Sequence, residues 1–295
     1  MHILEPDQIA FQTRAAIKRE IAENNYLITI AGFLVAGDRA SEIYAHYTQV
    51  GCEDVGIRFR LIATDSSCIQ KQLAAANLDP NIHGIFLYYP IFGDHRDIEL
   101  RNTVSWRKDV EGLTAYWLKK LYDNVRFEDD IRTRKAILPC TPLAIIKLLE
   151  TTVFYKDDAL PFDGCTISIF NRSEIVGKPL AYMLANDGGT VYSFDINGGI
   201  IINPTTGVNL QTIERKQALQ NSNIVITGVP TQNFTKIRAE ELRDSSVCIN
   251  FSYIQNFTTA AQNKARCFIP KIGQLTVAMC LRNALRLYRH YWSTS

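Results

Sequence analysis

The chain has 295 residues, 46% of them hydrophobic, which is enough apolar material for two domains of ordinary size. Its 32 basic and 30 acidic side chains leave a formal charge of +2 with the signs interspersed, which excludes the electrostatic footprint of a nucleic-acid or acidic-membrane binder. The N-terminus has no basic segment followed by an apolar one, and no apolar run reaches the roughly 18 residues of a membrane span, so a soluble, cytoplasmic protein is expected.

Pro6 to Glu23 carries helical spacing in Ile9, Phe11, Ala15, Ile17 and Ile21. Tyr26 to Val35 is then a near-continuous apolar run, the pattern of a strand buried on both faces. Gly37 to Ser41 has turn and helix-start chemistry, and Glu42 to Val55 reads as a helix ending at Gly56. A strand from Arg58 to Thr64, a helix from Ser66 to Asn77 and a strand from Ile82 to Pro90 complete an alternation that predicts a parallel sheet with right-handed crossovers. A short helix follows Asp97, then the segment Lys108 to Leu113 and an aromatic, charged stretch from Tyr116 to Phe127. Pro142 suits the first turn of a long apolar helix over Leu143 to Phe154, placed as a bridge between domains.

Thr166 to Pro179 reads as a nucleotide-binding corner: an apolar strand stops at a tight turn and reopens as a helix. Unpaired backbone N–H groups and the helix dipole would both face an anion there. Asn171 and Ser173 stand where the dinucleotide fingerprint has its first two glycines, and Gly177 comes one residue late. The next strand, Thr190 to Asp195, ends on a carboxylate 24 residues after Asn171, near the roughly 20-residue offset of an acid that binds the adenosine ribose of NAD. Strands at Asn223 to Pro230 and Ser246 to Phe251, with helical stretches between, extend the alternation, and Leu275 to Tyr291 closes the chain as an amphipathic helix. The seven cysteines are scattered without a CxxC pair, so neither a disulfide framework nor a metal site is expected.

Several segments together resemble one family, the methylenetetrahydrofolate dehydrogenases, many of which are also methenyltetrahydrofolate cyclohydrolases. The resemblance rests on Tyr44, His83-Gly84, Pro90, Lys108 to Leu113, Pro139 to Pro142, Arg172 to Pro179 and Thr276 to Met279. Bifunctional members carry Tyr-x-x-x-Lys in the first long helix, which places a ring and an ammonium on one face. Here the pair is Tyr44 and Thr48, and the usual Gln-Leu-Pro is Tyr88-Tyr89-Pro90. A threonine supplies neither positive charge nor titratable proton, so cyclohydrolase activity is expected to be lost. The combination resembles the monofunctional, NAD-dependent fungal type.

The resemblance implies an α/β fold of two domains with a cleft between them. One is an N-terminal folate domain over residues 1–150, completed by helix 275–295. The other is a Rossmann-like NAD-binding domain over 151–274. It implies a homodimer and a folate substrate, with Tyr44 stacked on the aminobenzoyl ring, Glu111 on the pterin, Thr48 and Tyr88 lining the vacated space and Cys140 beside the cleft. On the cofactor side it implies Asn171, Arg172, Ser173, Asp195, Gly228, Val229, Tyr253 and Thr276. Asp195 favours NAD by repelling a 2′-phosphate, provided that Arg172 is committed elsewhere. Competing expectations are an NADP-using bifunctional enzyme in which Lys108 or Lys271 replaces the ammonium, and a catalytically silent folate- or dinucleotide-binding paralogue.

Overall fold

The computed structural model describes residues 5–35, 37–203 and 207–293. The chain divides into two compact units, one of Ala10–Cys140 with Gln274–Ser295, the other of Met1–Ile9 with Thr141–Gly273. The break falls at Cys140/Thr141, ahead of the position 150 expected from sequence, so the apolar helix that follows belongs with the dinucleotide-binding half.

Helix α1 (Pro6–Asn24) leads into β1 (Thr29–Val35), α2 (Arg39–Val55), β2 (Arg58–Thr64), α3 (Ile69–Leu78), β3 (Gly84–Leu87), α4 (Arg96–Thr103) and α5 (Ala115–Tyr122). The sheet is parallel in the order β2-β1-β3, with Thr29 opposite Arg58 and Ile30 opposite Gly84. The central strand is β1, buried through Leu34, which is why its sequence shows no alternation. Helix α2 starts where Asp38 accepts from Ser41 N at 2.8 Å and stops at Gly56 in the left-handed conformation. Ile69, Leu73, Leu87, Leu100 and Val104 pack α3 and α4 against the sheet.

The second unit holds α6 (Cys140–Leu149), β4 (Thr166–Phe170), α7 (Gly177–Asn186), β5 (Thr190–Asp195), β6 (Gly198–Asn203), β7 (Gly207–Ile213), α8 (Arg215–Asn221), β8 (Ile224–Thr227), β9 (Val247–Asn250), α9 (Thr259–Lys264) and β10 (Cys267–Ile269). Cys140 itself ends the first unit. The seven-stranded order is β10-β9-β8-β4-β5-β6-β7, so β4 is central and the strand order reverses beside it, as in doubly wound folds. The β6–β7 pair is antiparallel and was not expected from sequence, which placed helical structure between β5 and β8. Ile196 and Asn197 turn the chain tightly enough for Asp195 to pair with Gly198, so the open edge of a parallel sheet gains a hairpin. Helix α10 (Gly273–Tyr291) then returns to the first unit. Among the described residues no helix is long and apolar enough to cross a membrane, and no group of three or more His, Cys, Asp or Glu is arranged to hold a metal ion.

Candidate functional site

In the first unit, five expected residues converge around one end of β3. Tyr44 and Thr48 lie on α2, Tyr88 follows β3, Glu111 sits in the loop after α4, and Cys140 opens α6. The Tyr44 ring meets Phe86 edge-on at 5.8 Å and Tyr88 at 6.0 Å. Burial is the main reason the Tyr44 phenol is pushed well above its ordinary range, with Cys140, Cys280 and Glu111 adding to it. Thr48 is completely buried, and its hydroxyl donates to Tyr44 O at 2.9 Å, a one-turn bond to its own helix backbone. The Tyr88 hydroxyl is also buried and lacks a hydrogen bond of normal geometry, although Thr48 is near enough to ease its ionisation against the effect of burial. Thr48 and Tyr88, at the positions where the resemblance places an ammonium and its supporting amide, are thus both buried and carry neither.

Glu111 is positioned by a turn that its neighbour builds. Ile85 N donates to Lys108 O at 2.7 Å, which lays residues 108–109 along the edge of β3. The buried Asp109 carboxylate accepts from the N–H groups of Glu111, Gly112 and Thr114 at 3.1, 2.9 and 2.7 Å. Asp109 therefore holds the loop, and Glu111 Oε2 turns back to accept from Leu87 N at 2.9 Å. Burial raises the Glu111 carboxyl well above its ordinary value; Leu87 N and the Arg101 charge oppose that rise, and Asp109 adds to it. Lys108 is no substitute ammonium: Nζ donates to Ala76 O at 3.0 Å and Asp79 O at 2.7 Å, capping the end of α3.

Cys140 is buried. Its Sγ donates to Val110 O at 3.2 Å and its N–H to Glu111 O, also at 3.2 Å, so it ties down the Glu111 loop. One residue that sequence reading passed over completes this arrangement. Asn283 on α10 is fully buried and donates to Val110 O at 3.0 Å and Leu138 O at 2.9 Å. A lone Asn in an apolar helix stripe was the available signal, since such an amide must find backbone partners. Thr276, grouped by sequence with the cofactor residues, lies near the start of α10 in this same unit and is buried.

In the second unit, Asn171, Arg172 and Ser173 follow β4, Asp195 ends β5, and Gly228 and Val229 follow β8. The expectation of bare N–H groups at the start of α7 needs correction. Asn171 Oδ1 accepts from Ser173 N at 3.0 Å and Gly177 N at 3.2 Å, while Ser173 Oγ accepts from Val176 N at 3.3 Å. The turn caps the start of the helix with its own side chains. Gly177 has no alternative there, because a Cβ would lie 1.8 Å from Asn171 O. Asn171 Nδ2 reaches across to Gly228 O at 2.8 Å, joining the ends of β4 and β8.

Arg172 is committed. Nη1 meets Asp195 Oδ2 at 2.9 Å, Nη2 donates to Ser193 O and to Gly198 O, the latter at 2.7 Å, and Nε donates to Ser193 Oγ at 3.3 Å. Asp195 Oδ1 accepts from Asn197 N at 2.8 Å. At the other end, Asn256 holds both backbone groups of Val229, accepting from N at 2.9 Å and donating to O at 3.1 Å. Asn250 accepts from Asn256 N at 3.1 Å, so two buried amides that the sequence reading left unassigned brace this loop. Tyr253 stands 85% exposed at its rim. The acid at the end of β5 fits the adenosine ribose of NAD, whereas Gly228 makes room for the Phe251 ring, which lies 1.9 Å from where its Cβ would stand.

Two family models match the chain in order. The tetrahydrofolate dehydrogenase/cyclohydrolase catalytic domain covers residues 4–111, and the NAD(P)-binding domain of the same family covers residues 139–291. The methylenetetrahydrofolate dehydrogenase [NAD(+)] of Dictyostelium discoideum is 38% identical over 287 residues, 94% of this chain and 91% of that protein. The Saccharomyces cerevisiae protein of the same name is 40% identical over 279 residues, 88% and 86% of the two chains. The solved structure of the NAD-dependent 5,10-methylenetetrahydrofolate dehydrogenase from Saccharomyces cerevisiae superposes with a TM-score of 0.90 at 36% identity, covering 97% of this chain and 96% of that one. With both domains matched in order across nearly its whole length, the chain belongs to the tetrahydrofolate dehydrogenase/cyclohydrolase family.

Proposed function

We propose that the protein oxidises 5,10-methylenetetrahydrofolate to 5,10-methenyltetrahydrofolate with NAD and does not hydrolyse the product. The observation that carries this reading is the Asp195 carboxylate at the end of β5 with Arg172 bound to it. An anion there accepts from ribose hydroxyls and repels a 2′-phosphate, and the guanidinium that would attract that phosphate is already occupied.

NAD, when bound, supplies the hydride acceptor. The chain's own residues bind and orient: Glu111 accepts from the pterin's N–H and amino groups, and the Tyr44 ring packs on the aminobenzoyl ring. Cys140 holds the Glu111 loop, Tyr88 and Thr48 close the wall behind, and Asn171, Ser173, Gly228, Val229 and Tyr253 line the cofactor's path. Holding the two reactants in register can itself contribute on the order of 7–11 kcal/mol in the best model systems. No group at position 48 carries a mobile proton, which leaves the hydrolytic step without its acid–base group.

The same proposal makes the protein a cytoplasmic homodimer. The test is an acid-quenched assay of purified protein with 5,10-methylenetetrahydrofolate and either NAD or NADP. Methenyl product accumulating with NAD alone is the expected result. Formyl product would overturn the loss of hydrolysis, and binding without turnover would favour a silent paralogue.

A further inference from the structure

Sheet register sets two short segments on either side of the turn that follows β4. Phe170 pairs with Phe194 of β5 and with Thr227 of β8, so Ile196 and Val229 each stand two residues beyond one row, on the strands that flank β4. At the usual strand spacing those two strands lie about 10 Å apart, astride the point where the strand order reverses and a dinucleotide's crevice opens. Ile196 is 100% exposed. An isolated exposed isoleucine is ordinary on a protein surface, but this one sits in a clamped two-residue turn directly after the ribose acid. Asp195 Oδ1 accepts from Asn197 N at 2.8 Å, Arg172 holds Asp195 Oδ2 at 2.9 Å and Gly198 O at 2.7 Å, and Gly198 closes the turn at a φ of 106° that suits glycine. Fixed at both ends, the turn keeps its isoleucine in the open.

The segment after β8 has its backbone hydrogen bonds spent internally. Gly228 N donates to Phe170 O at 3.1 Å, and Gly228 O accepts from Asn171 Nδ2 at 2.8 Å. Asn256 takes both backbone groups of Val229, at 2.9 and 3.1 Å, and Ser252 Oγ adds a second donor to Val229 O at 3.2 Å. Pro230 has no N–H, and its carbonyl accepts from the Tyr253 hydroxyl at 3.4 Å. What remains to meet a ligand is apolar: the partly buried Val229 side chain, the exposed Pro230 ring and the Tyr253 ring.

We propose that Ile196 on one side and the Val229-Pro230 segment on the other hold the cofactor's adenine by apolar contact and do not read its hydrogen-bonding edge, so that the protein accepts NAD-type dinucleotides carrying other purine bases. The inference rests on NAD being the cofactor and adds to that reading: Asp195 reads the ribose, and nothing reads the base. A site that bonds an exocyclic amine rejects an analogue lacking it because its own buried polar group is left unpaired; an apolar slot has no such group to strand. The polar side chains beside these segments, Asn197 and Gln232, are exposed, and an exposed amide that loses a base contact returns to water at little cost.

The test replaces the adenine. Nicotinamide hypoxanthine dinucleotide, which has a carbonyl acceptor where NAD has the exocyclic amine, is expected to support oxidation of 5,10-methylenetetrahydrofolate by the full-length protein with kcat/KM within about threefold of NAD. A preference for NAD of about tenfold or more overturns the proposal. Ile196→Ala, at a fully exposed position where Tm should not change, is expected to raise the KM for both dinucleotides about three- to tenfold with kcat unchanged, and Ile196→Leu should restore most of it. An unchanged KM in Ile196→Ala overturns the proposal as well. If the wild-type protein does not oxidise folate with NAD, the functional reading fails instead, and dissociation constants from isothermal titration decide base tolerance by themselves. Values for the two dinucleotides within about threefold support it, whereas a gap of about tenfold or more, or no binding of either, rejects it.

Discussion

Arg172 and Asp195 show how a side chain's meaning depends on what else holds it. Alone, an arginine beside the ribose acid would welcome a 2′-phosphate; bound to Asp195, Ser193 O and Gly198 O it cannot turn to one without breaking those bonds. Asp195→Ser is therefore expected to lower kcat/KM for NAD about ten- to a hundredfold, through the loss of a charged hydrogen bond of ~1.5–3 kcal/mol, and to improve use of NADP as Arg172 Nη1 is released. Steady-state kinetics with both cofactors checks this, and an unchanged NAD-to-NADP ratio would place the discrimination elsewhere. Position 48 is a simpler case. The sequence already placed a threonine one turn after Tyr44, but only the structure shows its hydroxyl bonded into the helix and both it and Tyr88 withdrawn from solvent. Thr48→Lys alone is expected to lower Tm and produce no hydrolysis, because an ammonium there is buried without a partner. Thermal denaturation and the acid-quenched assay read the two effects.

Elements carry these residues to their places through backbone bonds made far along the chain. Asn283 on α10 holds Val110 O and Leu138 O, and so fixes the loop that presents Glu111. Asn283→Leu takes the amide donor from both carbonyls, leaving Val110 O only the weaker Cys140 Sγ, at a cost of ~1–3 kcal/mol, and should raise the KM for folate while leaving NAD affinity as it was. Chemical denaturation and isothermal titration with NAD check the two halves of that statement; an equal loss of NAD affinity would mean that the substitution acts on the fold at large. The helices and parallel strands were legible because burial on one stripe or on both faces leaves a period in the sequence. The antiparallel strands β6 and β7 were not: the β5–β6 turn at Ile196-Asn197 and the Gly-Gly-Ile-Ile-Ile run of β6 are short-range signals, and an expected crossover after β5 outweighed them.

At the scale of the whole molecule, the proposed homodimer predicts a light-scattering mass of about twice 33.4 kDa at micromolar concentration, and a monomer mass at all concentrations would reject it. Much else about the molecule was readable from the chain alone. The βα alternation and the acid at the end of β5 are local patterns, so the fold class and a nucleotide-binding half follow from residue type and spacing, while the folate chemistry expected around Tyr44 and Thr48 comes from the resemblance to the family. What only tertiary structure decided depends on partners distant in sequence. Asn171 proves to cap α7 and to bond Gly228, Asn256 braces Val229, and Asn283 clamps the Glu111 loop at Val110 from 173 residues away. A sequence shows which side chains can donate or accept; which buried group answers which is set when the fold withdraws both from water, because only there does an unmatched donor or charge become costly.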